Sequence, residues 1–353
     1  METPAWSPTL HPYAAARRPR DNAAGRLERA AQALVADGWT TELQATVIHR
    51  RIAPTIVGYA IAAITAVALS PAWPVVSLLL AVAVTIGGFV DLAGGRSWVR
   101  ALTPRTGHRN ILLWSDSHPP DPTPGPWPGL SHADATRRQV LLVVPDHPGG
   151  GRLSNITALG AFFGLFALTA ILVTTKVHTP SPVMVLAVSV AFLVLVSMVA
   201  FGIDRRRRSP HAVPGVAAAR AIVEQLPESL SARIGIVIVG GLSPWFDGVE
   251  TLLYSRRRRH PPKETDIVVW HPGRGSLTRV ERDGAFRRRP PARLNRAAAP
   301  IPLAVPRRLR PWRTAALRAQ RMGWPALGLV GGNNDAPTIA ALVDLLEALA
   351  DPS

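Results

Sequence analysis

Ile234-Gly-Ile-Val-Ile-Val239, preceded by Val213-Pro-Gly-Val-Ala-Ala-Ala-Arg-Ala-Ile-Val-Glu-Gln-Leu226, decides the fold class. The hexapeptide is apolar at every position and, Gly235 aside, β-branched. A strand with no polar face is covered on both sides, as parallel strands flanked by helices are. Val140 to Val144, Asp266 to Trp270 and Ala326 to Val330 have the same continuous character. Between them the chain turns amphipathic at helical spacing over Val213 to Leu226, Trp245 to Tyr254 and Thr338 to Ala350. Strands alternating with helices predict an α/β fold, with a mostly parallel or mixed sheet flanked by helices. Asn110 to Ser115 reads as a further short strand, and Ser276 to Arg282 alternates as an edge strand does. Pro290 to Pro311, rich in proline and arginine, reads as a connector.

Working outward toward the N-terminus, this pattern is interrupted twice. Ile52 to Ser70, Val75 to Val90, Ile156 to Thr175 and Val183 to Ile203 contain no Asp, Glu, Lys or Arg. A helix crosses a bilayer with about 20 apolar residues, so the expectation is four transmembrane α-helices in two hairpins. Pro71, Pro74, Pro180 and Pro182 fall at the turns, where they stop helices rather than kink them. Arginine sets the orientation. Arg50, Arg51, Arg96, Arg100, Arg152 and the run Arg205, Arg206, Arg207, Arg208 flank the open ends of the hairpins, whereas the closed turns offer only Lys176 and His178. Positive charge stays inside. The expectation is therefore a multi-pass plasma-membrane protein with both termini and the soluble domain in the cytoplasm.

The expected organisation follows: a disordered tail at 1–20, the first piece of the α/β domain at 21–51, hairpin one at 52–90, a second piece at 91–155, hairpin two at 156–203 and the main part at 204–353. Within the first piece, Asn22 to Asp37 reads as a helix ended by Gly38. Of the 353 residues, about 270 remain outside the apolar segments, enough for one sizeable domain or two small ones.

Net charge is +17, carried almost wholly by arginine. In a chain that also looks membrane-spanning, this favours a bilayer with anionic head groups over nucleic acid as partner. Arg50, Arg51 and Arg205 to Arg208 are the expected head-group contacts. Abundant Ala, Arg, Pro and Gly also suggests the codon usage of a GC-rich bacterial genome. There is no cysteine, which excludes disulfides, thiolate nucleophiles and Cys-ligated metals. The first 50 residues are polar and Arg-rich without an early apolar core, so no cleavable signal is expected.

The order of elements resembles the zinc-dependent aminopeptidases with a co-catalytic two-metal centre. The resemblance rests on His211-Ala-Val-Pro-Gly-Val-Ala-Ala-Ala-Arg220, Ile236 to Gly241, Phe246-Asp-Gly-Val249, Val268 to Gly273 and Pro325 to Asp335, in that order. It is a likeness of pattern across most soluble residues, not of diagnostic motif. What it implies is an aminopeptidase-like fold whose strand ends once held metal. Carried over position by position, the first metal histidine falls near Pro145 and the bridging aspartate on His211. The paired glutamates fall on Leu242 and Ser243, the next carboxylate on Trp270 and the last histidine on Gly331. Two-metal hydrolysis needs fixed carboxylates, imidazoles and a general base, and these side chains supply almost none of them. No cofactor is expected.

A shift of register by one or two residues brings Asp146, His147, Asp247, His271 and Asp335 close. A rebuilt zinc site from His147, His211, His271 and Asp335 is the alternative to plain polar loop residues. Gly240-Gly241 and Gly331-Gly332 follow strands, as tight turns or as amides open to an anion. The resulting expectation is a membrane-anchored, catalytically inactive aminopeptidase-like protein, a binding or scaffold module for an unknown protein or peptide. An active membrane metallo-aminopeptidase or hydrolase with an altered metal set is the alternative. A small transporter component is third, disfavoured by the lack of charge inside the apolar segments.

Overall fold

The structure is a computed structural model, and it describes residues 32, 40–48, 53–92, 98–102, 106–114, 139–145, 162–171, 193, 196, 214–227, 230, 233–239, 247–255, 257, 261–273, 275–282, 289–304, 314–332 and 335–350. Its strands are β1 (Thr40–Ile48), β2 (Thr106–Trp114), β3 (Gln139–Pro145), β4 (Ile234–Val239), β5 (Thr265–His271), β6 (Thr278–Val280) and β7 (Ala326–Val330). They form one seven-stranded mixed sheet in the order β1-β2-β4-β3-β5-β7-β6. The central four, β4-β3-β5-β7, are parallel, while β2 pairs antiparallel with β4, β1 with β2, and β6 with β7. One sheet thus collects strands from before, between and after the apolar segments.

Alternation along the central strands sorts their side chains onto two faces. Val140, Leu142 and Val144 join Ile236, Ile238, Val268, Trp270 and Leu329 on the first. That face is covered by α5 (Pro214–Gln225) and α9 (Ala336–Ala350). Leu141, Val143, Val237, Ile267 and Val269 lie on the second, under α6 (Asp247–Ser255) and α8 (Ala315–Arg321). Every residue of β3, β4, β5 and β7 is buried, as their unbroken apolar runs require.

The structure differs from the sequence expectations in several places. β1 was not foreseen: Thr-Thr-Glu-Leu-Gln-Ala-Thr alternates weakly, and only pairing with β2 makes it a strand. The connector Pro290 to Pro311 contains a helix, α7 (Ala292–Ala297), and Leu303 forms a bridge with Arg279. Arg293 of α7 forms an ion pair with Asp266, a carboxylate fully buried at the start of β5; that burial gives an otherwise proline-bounded stretch its fixed position. α8 was also missed, its alanines giving little periodic signal. The expected helix over Asn22 to Asp37 lies outside the described residues, apart from helical Gln32.

The apolar segments form a cluster of their own. α1 (Ala53–Leu69) and α2 (Pro74–Leu92) are an antiparallel pair, followed by the short α3 (Trp98–Leu102). Phe162–Ile171, α4, is the described part of segment three, and of segment four Leu193 and Val196 are described, both helical. Among the described residues, buried Ala60, Ala63, Ala81, Val84, Phe163 and Ala167 join in a cluster that shares no residue with the sheet. Ser77 donates a 2.6 Å hydrogen bond to the Ala66 carbonyl across the α1–α2 pair. α2 runs on past Val90, and its buried Asp91 accepts a 2.8 Å bond from Tyr59. The second segment is therefore not free of charge over its whole helical length. Among the described residues one helix, spanning Pro74–Asp91, is long and apolar enough to cross a membrane; Ala53–Leu69 and Phe162–Ile171 are shorter.

Contact between α2 and α4 depends on Gly164, where an added Cβ would run into the backbone of Thr85. Small residues allow such close backbone approach between apolar helices. Gly164→Val is expected to force α4 off α2 and lower the thermal midpoint of the protein by several degrees. A variant melting with the wild type would show that the approach is not needed.

Candidate functional site

In open parallel sheets, ligands bind beyond the C-terminal ends of the strands, where successive connections leave to opposite faces. Here α5 follows β3 on the first face and α6 follows β4 on the second. The candidate edge is thus formed by Pro145, Val239, His271 and Val330. These strand ends are also where the resemblance to aminopeptidases locates metal-binding groups.

The edge is held by short-range bonds. Gly215 begins α5 hard against β3: a Cβ there would lie 3.0 Å from the Pro145 carbonyl oxygen. Trp270 is fully buried and donates through its indole N–H to the Gly331 carbonyl, at 2.8 Å. Two positions that the resemblance assigns to metal ligands are thus bonded to each other. Gly331 and Gly332 both have positive φ, +79° and +76°, a backbone that favours glycine. Their amides donate to the His271 and Gly275 carbonyls, at 3.1 and 2.8 Å. They close a tight turn and are not offered to an anion. Gly240-Gly241 lies outside the described residues.

Of the rebuilt-site candidates, His147 and His211 lie outside the described residues, as do Asp146, Leu242, Ser243, Arg50, Arg51 and Arg205 to Arg208. His271 and Asp335 are described, and the structure does not bring them together. His271 is 3 % exposed, and its Nε2 accepts a 3.1 Å bond from the Ala315 N–H at the start of α8. Following Val269 in the alternation, it faces the second side of the sheet. Burial lowers its pKa from 6.5 to about 3, which keeps the ring neutral and the acceptor available. Asp335 is exposed and caps α9 on the first side, its Oδ1 accepting 3.0 Å from the Thr338 N–H. Helix capping accounts for both candidates. Asp247 is buried at the first residue of α6. Among the described residues no group of three or more His, Cys, Asp or Glu is placed to hold a metal ion.

A concave site lies beside this edge. A cavity of about 590 Å³ opens between α9 and the segment that follows α7, roofed by the turn before β6. Its floor is Leu277, Ile301, Ala341 and Leu345, and its described charged groups are Asp335 and Asp344. That volume falls within the range of small-molecule and peptide clefts. Sequence reading treated Thr338 to Ala350 only as a terminal amphipathic helix. The signal it passed over is the row Pro337, Ala341, Ala348, whose small side chains leave space along one helix face.

No family model matches the chain, and neither a curated protein nor a solved structure matches it.

Proposed function

We propose that this chain is a membrane-anchored, non-hydrolytic relative of the zinc aminopeptidases, working as a binding module at the cytoplasmic face of the plasma membrane. The observation that carries the membrane half is the separate apolar bundle with apolar residues turned outward. On α2, Val75 is 70 % exposed and Leu79 64 %, and Val76, Leu78, Ile86 and Phe89 are exposed as well. On α4, Phe162, Leu165 and Phe166 are exposed. Soluble monomers rarely carry contiguous apolar surface on this scale, and lipid is the solvent that suits it. Trp73, 62 % exposed at the tip of the α1–α2 pair, has the position of an interfacial aromatic. The 19 residues of α2 span about 28 Å at 1.5 Å per residue, close to the hydrocarbon thickness.

The inactive half is supported by what the strand ends do. His271 holds a helix start as a neutral acceptor, Trp270 is bonded to Gly331, and Asp335 is a cap. A general base must reach the proton it abstracts, and these groups are already committed to the backbone.

The natural chain has no cysteine, so single-cysteine variants label cleanly. In inverted membrane vesicles, Trp73→Cys should be shielded from a membrane-impermeant maleimide, and a cysteine appended after Ser353 should react. Protein purified from the same membranes should carry no stoichiometric zinc and release no amino acid from peptide amides. Reaction at Trp73→Cys in sealed inverted vesicles would overturn the orientation, and tightly held zinc with peptidase activity would overturn the inactive reading.

A further inference from the structure

We propose that the cavity between α9 and the segment after α7 is a docking groove for an extended, apolar peptide segment with two basic side chains about four residues apart. The inference rests on the binding-module reading and names its partner. Three features of the groove lead to it.

The first is charge. In a chain of net charge +17, the described residues lining the groove include no basic group and two carboxylates, Asp335 and Asp344. Both are exposed. Asp335 uses one oxygen for the Thr338 N–H, and Asp344 has no ion-pair partner among the described residues. A basic ligand meets complementary potential here, while the rest of the protein repels it.

The second is shape. The α9 wall runs from Pro337 to Ala348, which at 1.5 Å per residue is about 16 Å. An extended chain rises about 3.3 Å per residue, so the wall accommodates about five residues. An inorganic cation or a small amine would leave most of the apolar floor uncovered.

The third is spacing. Asp335 and Asp344 are nine positions apart on the helix and its cap, or about 13 Å along the axis. No single cation bridges that distance. Side chains at positions i and i+4 of an extended segment are separated by about 13 Å and point to the same side. The groove therefore selects both the charge of its ligand and the interval between charges.

The test uses the full chain in a zwitterionic detergent, with a fluorescein-labelled, acetylated peptide of leucine, alanine and proline bearing arginines at i and i+4. Anisotropy should report saturable micromolar binding that weakens with added salt. The same peptide with glutamates in place of the arginines, or with the arginines at i and i+1, should bind at least tenfold more weakly. Asp335→Asn keeps a good helix cap, and Asp344→Asn is a surface change. Each should weaken binding about tenfold with little change in thermal midpoint, and Ala341→Trp should fill the groove and abolish binding. The proposal is overturned if no peptide binds saturably below millimolar concentration, if the glutamate peptide binds equally well, or if the double Asn variant binds as the wild type does. Mass spectrometry of the same peptide with a free amino terminus, incubated in parallel, separates the two readings: cleaved peptide counts against the non-hydrolytic function, whereas intact peptide together with an acetylated probe that never bound counts against the groove alone.

Discussion

Trp270→Ala is expected to lower the folding stability of the sheet domain by about 3–5 kcal/mol, the usual cost of removing a large aromatic side chain from a core. Trp270 lies on β5 between β3 and β7, fully buried on the first face. Its loss would leave a cavity and strand the Gly331 carbonyl that its indole serves at 2.8 Å. Trp270→Phe separates the two contributions. It keeps most of the packing and loses the hydrogen bond, and should cost about 1–3 kcal/mol for the unmet buried acceptor. Trp270→Asp, which introduces an acidic side chain at this strand end, should be the worst of the three, because an isolated carboxylate would be buried there. Urea titrations followed by far-ultraviolet circular dichroism rank them. An Asp variant as stable as the wild type would mean that the strand end is open to solvent or to a cation.

Acid should destabilise the protein through His271. Above pH 6.5 the ring is neutral in both folded and unfolded chains and contributes no pH dependence. Below 6.5 the unfolded chain binds a proton that the folded one refuses down to about pH 3. More protons on the unfolded side means that stability falls as pH falls. The slope is about 1.4 kcal/mol per pH unit, so lowering the pH from 6.5 to 4.5 should cost roughly 2–3 kcal/mol from this residue. Protonation would also remove the acceptor for the Ala315 N–H and loosen the start of α8. His271→Gln keeps an acceptor but cannot titrate, so its stability should be flatter between pH 4.5 and 6.5 than that of the wild type. Parallel curves for the two proteins would show that His271 takes up its proton without resistance.

How much of this was legible in the sequence depends on how local each cause is. Ala326 to Val330 and Ile234 to Val239 coincide with β7 and β4 because a short, continuously apolar run that ends at a glycine has few other uses. Val140 to Val144 lies in the same sheet as both, because such a strand needs neighbours on both edges, and β4 and β5 provide them. β1 escaped notice because its evidence is non-local. Thr40 to Ile48 is ordered by nine paired positions on β2 across the whole first hairpin, and single-chain periodicity does not see a partner. The site was less legible still. His271 and Asp335 looked alike in sequence, as polar residues at strand ends. Only alternation along β5 and the cap on α9 separate them onto opposite sides of the sheet. The groove depends on which small residues of α9 face α7, and a helical wheel alone does not reveal a gap.

The pairing of β1 with β2 carries a consequence for how the chain folds. Their register is unbroken, from Ile48 opposite Thr106 to Thr40 opposite Trp114. Together they are a β-hairpin whose connection contains the whole α1–α2 pair. A flexible loop of more than fifty residues would make such a pairing slow, since distant ends must find each other before any contact rewards them. Here the antiparallel helices bring the two strand ends side by side beforehand. Synthesis order then becomes folding order. The helical pair is expected to assemble first from sequence-local contacts, and the strands to zip from Ile48 and Thr106 outward. β4, made last of the three, adds to an edge that is already laid down. Mutations that loosen the helical pair should therefore slow formation of the sheet, even though the two share no core residue among those described.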